Sequence, residues 1–211
     1  MTPAAPDAPT TSSEVERKYD IGEQASTPEL VGVGPIASMS DPEALQLIAV
    51  YFDTAGLDLA TNSIALRRRQ GGADAGWHIK RPATEGRTEV HWPLGSGSSV
   101  PSAVAEYLRE YVGDRALEPV ARVSNARTTR LLLDATGTAV AELCDDRVHS
   151  EDLIAGVSRV WREWEVELLE GAPDTVLGRA ALLDTIETAV GAAGGRPSAS
   201  VSKLARALGR D

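Results

Sequence analysis

The chain has 211 residues, 42% of them hydrophobic and 25% charged, ordinary globular values that exclude a wholly disordered or collagen-like protein. Acids outnumber bases 31 to 21, and the formal net charge of −10 excludes a broad basic surface for nucleic acid or anionic membrane. The 21 bases comprise 18 Arg and only three Lys, at Lys18, Lys80 and Lys203.

Order is expected from Glu14, after a Pro-, Ala-, Ser- and Thr-rich stretch, MTPAAPDAPTTSS, that reads as a disordered tail over 1–13. That stretch has neither the basic nor the apolar region of a secretory signal, and no apolar run approaches the length of a membrane span. A cytoplasmic protein is the expectation, with 14–211 as a single domain. The single cysteine, Cys144, excludes an intrachain disulfide framework and a Cys-based zinc cluster; it reads as a small core residue.

EVERKYDI (14–21) alternates strictly and predicts a strand. Residues 22–40, with Gly22, Pro28, Gly32, Gly34 and Pro35, predict a loop containing one helical turn near Pro28–Val31. Asp41-Pro42-Glu43 resembles a helix start, but Val50, Tyr51 and Phe52 favour a strand ending near Asp53. Ile64–Gln70 and Trp77–Arg81 flank a Gly-rich loop as a hairpin, and Thr88–Leu94 is a further strand. Apolar residues at helical spacing follow over 102–112; strands follow at Asn125–Leu133, Thr138–Val148 and Arg159–Leu169. Helices are predicted over 174–193 and 201–208. About eight strands without regular βαβ alternation point to an antiparallel α+β fold.

The polar faces of these strands are unusually charged. One face holds Glu14, Glu16 and Lys18; others hold Arg67 and Arg69, His78 and Lys80, and Arg87, Glu89 and His91. Later strands add Glu142 and Asp146, then Glu163, Glu165 and Glu167. Any one face alone reads as a solvated surface, whose ion pairs contribute roughly 0–1 kcal/mol each. Six together, backed by apolar faces rich in Trp, suit a closed barrel with an apolar exterior under helices and a charged bore. Acids gather on the first and last strands, bases on the third to fifth with Arg127 and Arg130 later. Converging carboxylates call for a hard divalent cation, and Arg and Lys for phosphate oxygens. Both in one bore make a polyphosphate–metal site.

Glu14-Val15-Glu16-Arg17-Lys18 resembles the ExExK signature of the CYTH superfamily, the triphosphate tunnel metalloenzymes. The likeness continues in order through YFDT (51–54), LRRR (66–69), WHIKRP (77–82), Arg87-Thr88-Glu89, Arg127, ELCDDRV (142–148), EWEVEL (163–168) and Ser202-Lys203. The three lysines of this Lys-poor chain fall where the resemblance requires them. It implies an eight-stranded antiparallel barrel forming a tunnel, with flanking helices. It implies Mg²⁺ or Mn²⁺ on Glu14, Glu16, Asp146, Glu165 and Glu167, with Asp145 in place of Asp146 and a shift to Glu163 left open. Phosphate would be held by Lys18, Arg67, Arg69, Lys80, Arg87, Arg127 and Lys203, with Arg130 replacing or assisting Arg127. Glu14, Glu16, Lys18, Glu165 and Glu167 carry the implied catalysis.

The implied reaction is hydrolysis of a small-molecule triphosphate, with inorganic triphosphate first because no residue pattern marks a nucleobase pocket. A class IV-type adenylate cyclase and a non-catalytic polyphosphate-binding module are the alternatives. The sequence leaves monomer and homodimer both open. His78 reads first as a polar residue at a strand end, with an approach to the tunnel through its parity with Lys80 left open; His91 and His149 lack metal-spaced partners, and the four Trp read as barrel-exterior core.

Overall fold

The structure, a computed structural model, describes residues 8–210. The first strands are β1 (Thr10–Glu14), β2 (Glu16–Asp20), β3 (Ser38–Met39) and β4 (Glu43–Asp53). The hairpin strands are β5 (Ala65–Gln70), β6 (Gly76–Pro82) and β7 (Arg87–Pro93), and the long strands β8 (Glu118–Leu133), β9 (Ala139–Asp152) and β10 (Val157–Leu168). β11 (Arg196–Pro197) is a two-residue addition. Helices are α1 (Asp58–Thr61), α2 (Ser102–Tyr107), α3 (Arg109–Val112), α4 (Val176–Ala192) and α5 (Lys203–Ala207). No helix among the described residues is long and apolar enough to cross a membrane.

All strands belong to one antiparallel sheet, ordered β1-β7-β6-β5-β4-β8-β9-β10-β2-β11, with β3 on β8. Its hydrogen-bonded ladders do not close into a ring. β1 pairs with β7 and β2 with β10, however, and only Val15 separates the two strands. The expected single strand is thus a strand broken at Val15 that ties both ends of the sheet together, while the Val15 carbonyl accepts from Leu168 N at 2.9 Å. Counting β1 and β2 as one, the walls number the expected eight.

Three other expectations need correction. The tail was expected to reach residue 13, yet Thr10–Ser13 are strand, held by β7 opposite His91 to Thr88; residues 1–7 lie outside the described residues. The stretch around Pro28–Val31 forms no helix; its Leu30, with Ile36, is buried in the outer core. β8 starts at Glu118, well before Asn125, because its early residues pair with the end of β4.

Strand alternation divides the side chains between two apolar clusters outside and the tunnel within. On one side Tyr19, Leu143, Trp164 and Val166 pack under Leu182, Leu183, Ile186 and Val190 of α4. On the other, Leu66, Trp77, Ile79, Val90 and Trp92 pack under Val104, Leu108 and Val112 of α2 and α3. A third cluster lies inside the barrel at one end, where Ala49, Val123, Val148 and Trp161 meet Leu204 and Ala207 of α5. Trp161 is therefore not exterior core; it shares the inward parity of Glu163 and donates from Nε1 to Glu163 Oε2 at 2.6 Å.

Candidate active site: a charged tunnel

The barrel encloses a cavity of about 440 Å³. Glu14, Glu16, Lys18, Arg67, Arg69, Lys80, Arg87, Arg127, Glu165, Glu167 and Lys203 all line it. Strand register explains the gathering, because residues directly opposite in an antiparallel pair face the same side. Glu165 lies opposite Lys18 on β2 and Cys144 on β9, and Glu167 lies opposite Glu16 and Glu142. Asp146 lies opposite Glu163 on β10 and Arg127 on β8.

One acidic group is already neutralised. Asp146, Glu163 and Glu165 present carboxylate oxygens within 4.8 Å of one another and are all buried. Lys203 Nζ sits among them, 2.8 Å from Asp146, 2.5 Å from Glu163 and 2.7 Å from Glu165. Arg127 forks onto Asp146 with two contacts of 2.7 Å and reaches Glu165 at 2.5 Å. Lys18 bonds Glu165 as well. Burial works against the charge of Glu165, but Lys18, Lys203 and Arg127 outweigh it and hold the carboxyl well below its ordinary range. The same carboxylates hold Lys203 and Arg127 protonated against the cost of burial.

α5 delivers Lys203. The Ser202 hydroxyl caps it by accepting from Ala205 N at 3.1 Å, and Leu204 and Ala207 anchor it on the inner apolar cluster. Parity decides between the adjacent aspartates: Asp145 points away from the tunnel and pairs with Arg162, leaving Asp146 inside.

The second acidic group is under-neutralised. Glu16, Glu167 and Glu142 stand side by side on β2, β10 and β9, with Glu14 nearby. Lys18 holds Glu16 at 2.9 Å and Lys80 holds Glu14 at 2.5 Å. Among the described residues Glu167 has no ion pair. Burial, then the charges of Glu14, Glu16 and Glu165, raise its pKa to about 7, against the pull of Lys80. Glu14 is also raised, by burial and by Glu89. Carboxylates this crowded, Glu14 buried and the other three half-buried, fit a hard oxygen-seeking cation. Glu14, Glu16 and Glu167 would hold it with Glu142, whereas Asp146 and Glu165 already share fixed cations.

The basic wall faces this acidic one. Arg67 and Arg69 on β5, Lys80 on β6 and Arg87 on β7 surround Glu89, which contacts Arg67 at 3.3 Å and His78 at 2.9 Å. Burial and the neighbouring Arg67 depress the Arg69 pKa to about 10. Arg87 donates to the Val201 carbonyl at 2.7 Å, fastening the segment before Lys203.

His78 is not a strand-end polar residue. It is 1% exposed, turned inward beside Glu89, with its ring tilted against that of His91 at a centroid distance of 4.7 Å. Arg130 lies outside the cavity, donating to the Ser40 carbonyl at 3.0 Å, and takes no place beside Arg127. Cys144 is buried as expected, but on the tunnel side, its Sγ 3.3 Å from Glu142. Asn125, a buried lining residue, and Glu89 are absent from the implied site set. The inward parity of Glu89 with Arg87 was the available signal; Asn125 gave none, being uncharged.

The class the fold and site define is an antiparallel tunnel with one acidic and one basic wall. The sequence profile of the CYTH domain matches residues 12–191, and the chain belongs to that family. A Mycobacterium tuberculosis protein, Rv2226, named only as uncharacterized, is 42% identical over 210 residues, covering 93% of this chain and 40% of the relative. The chain thus spans about two fifths of the length of the curated relatives it matches. A Bacillus halodurans protein provisionally named an adenylate cyclase shares the fold, with TM-score 0.64, 20% identity and coverage of 93% of this chain and 97% of that one. So does a Hippeastrum protein provisionally named an adenylyl cyclase and described as having a dominant triphosphatase activity, with TM-score 0.53, 18% identity, and coverage of 93% and 95%.

Proposed function

We propose that the chain is a Mg²⁺- or Mn²⁺-dependent triphosphatase, acting on inorganic triphosphate or a related triphosphate compound. The observation that carries this reading is that the under-neutralised Glu14, Glu16 and Glu167 share one cavity with Arg67, Arg69 and Lys80. A simple anion binder gains nothing from inward carboxylates, which repel its ligand. When bound there, a divalent cation supplies Lewis-acid neutralisation of phosphate oxygens.

The chain's own groups account for the rest. Arg67, Arg69, Lys80 and Arg127 hold and align the phosphate oxygens, so that catalysis is mainly positioning and charge stabilisation. Water oxygen forms a bond to the terminal phosphorus as the bond to the bridging oxygen breaks. The bridging oxygen keeps the electron pair and leaves on the shortened phosphate. Glu165, held ionised by three cations, is a poor proton acceptor. Glu167 would be engaged by the cation, so the proton of the attacking water passes to solvent water in the cavity.

The test is a panel of tripolyphosphate, ATP and thiamine triphosphate with Mg²⁺ and Mn²⁺, separating orthophosphate from cyclic nucleotide plus pyrophosphate. Orthophosphate is expected. Cyclic nucleotide would establish the cyclase reading instead, and tight binding without turnover under either metal would establish a binding module.

A further inference from the structure

Arg67 and Arg69 carry like charges two residues apart on one face of β5, and both side chains are largely buried in the tunnel wall. Two guanidiniums so placed repel each other, and each has several rotatable bonds to freeze before it meets a phosphate. One acid holds each of them. Arg67 contacts Glu89 Oε1 at 3.3 Å, and Arg69 pairs with the Asp74 carboxylate in the loop between β5 and β6. His78 lies between these two acids. Its Nδ1 is 2.9 Å from the same Glu89 oxygen that Arg67 contacts, and its Nε2 is 2.9 Å from the Asp74 main-chain carbonyl oxygen. The ring has little freedom, being buried opposite Arg67 in the strand register and covered by the His91 ring, for which Gly76 leaves room. His78 is not among the residues lining the cavity, so any effect on substrate passes through its neighbours.

We propose that His78 is a positioning residue that aligns the two arginines of the phosphate grip, Arg67 through Glu89 and Arg69 through Asp74. The proposal rests on the triphosphatase reading and adds to that site a residue behind its lining. Histidine suits the place because its two ring nitrogens are held apart on one rigid plane and meet two separate oxygens. A nonpolar side chain of similar size would fill the space and leave both acids free to turn. The arginines would then be ordered only at the expense of substrate binding energy. A histidine that merely filled space would need neither contact.

The experiment measures kcat and KM for tripolyphosphate with Mg²⁺ and Mn²⁺ in the wild type, His78→Leu and His78→Gln, each also in an Arg67→Ala background. His78→Leu is expected to lower kcat/KM about tenfold, within the roughly hundredfold that a misplacement of about 1 Å can cost. His78→Gln, whose amide keeps a contact with one of the two oxygens, should lose only about threefold. In the Arg67→Ala background His78→Leu should cost about threefold or less, because one of the two arginines it aligns is gone. Equal losses in both backgrounds, equal losses for the Leu and Gln variants, or wild-type activity in His78→Leu overturn the proposal. Asp74→Asn, at an exposed loop side chain, loosens the hold on Arg69 without touching the core and should lower kcat/KM about threefold. Should both His78 variants fail to fold, this one decides, and an unchanged or raised kcat/KM overturns the positioning. If the wild type releases no phosphate, the triphosphatase reading fails instead. Calorimetric dissociation constants for tripolyphosphate in the same variants then decide: weakening that shrinks in the Arg67→Ala background supports the positioning, and weakening that does not shrink, or none, overturns it.

Discussion

Lys203 Nζ lies 2.8 Å from Asp146 Oδ2, an aspartate with no exposed surface, and the same ammonium reaches Glu163 and Glu165. A side chain near the C-terminus thereby neutralises carboxylates from two central strands. Removing one partner of a buried pair leaves an uncompensated charge and costs roughly 3–5 kcal/mol. Lys203→Ala is expected to lose stability of that order in urea denaturation. Mg²⁺ or Mn²⁺ should restore part of it, because three carboxylates within 4.8 Å would then lack their ammonium. No stabilisation of the variant by either cation would contradict the pairing.

Glu167 sets a pH dependence of opposite sign to that of the paired acids. Its pKa rises from an ordinary 4.5 to about 7 on folding. Between those values the folded chain binds a proton that the unfolded chain does not. This contribution is therefore full below pH 4.5 and fades as pH rises through 7. Glu167→Gln removes it, so in EDTA the variant should gain on the wild type between pH 5 and 8, by up to about 3 kcal/mol. Adding Mg²⁺ at pH 8 should narrow the gap. A gap independent of pH would contradict the crowding.

Arg67 contacts only Glu89 among the tunnel acids, at 3.3 Å, and so remains available to a phosphate. Arg67→Ala should lower kcat/KM for the preferred triphosphate about a hundredfold, about 2.7 kcal/mol of transition-state binding, with unchanged far-UV circular dichroism. Activity within threefold of wild type would remove Arg67 from the site.

Gly86 turns the chain between β6 and β7 with φ +63°, and a Cβ there would meet the Glu14 carbonyl oxygen at 1.9 Å. Gly86→Ala must push β1 aside and displace Glu14 with it. Thermal denaturation should show a loss above about 1 kcal/mol, and the activating metal concentration should rise. A variant with unaltered Tm and metal dependence would show that β1 does not need this approach.

Period-two alternation on half a dozen strands was enough to place the charged residues on one inner face, because a strand's pleat is local. From that pattern Glu14, Glu16, Lys18, Arg67, Lys80, Glu165 and Glu167 were all legible as tunnel residues. The same parity selected Asp146 over Asp145. What alternation does not carry is register and the placement of α5. These are set by contacts far apart in the chain, and they alone decide that Lys203 fills the Asp146 cluster while Glu167 has no ion pair among the described residues. The break at Val15 that joins both ends of the sheet, the inward turn of Trp161 beneath α5 and the place of His78 between Glu89 and Asp74 have the same origin. The residues of the site follow from the sequence; which carboxylates are left for a cation is settled only when the barrel brings the strands together.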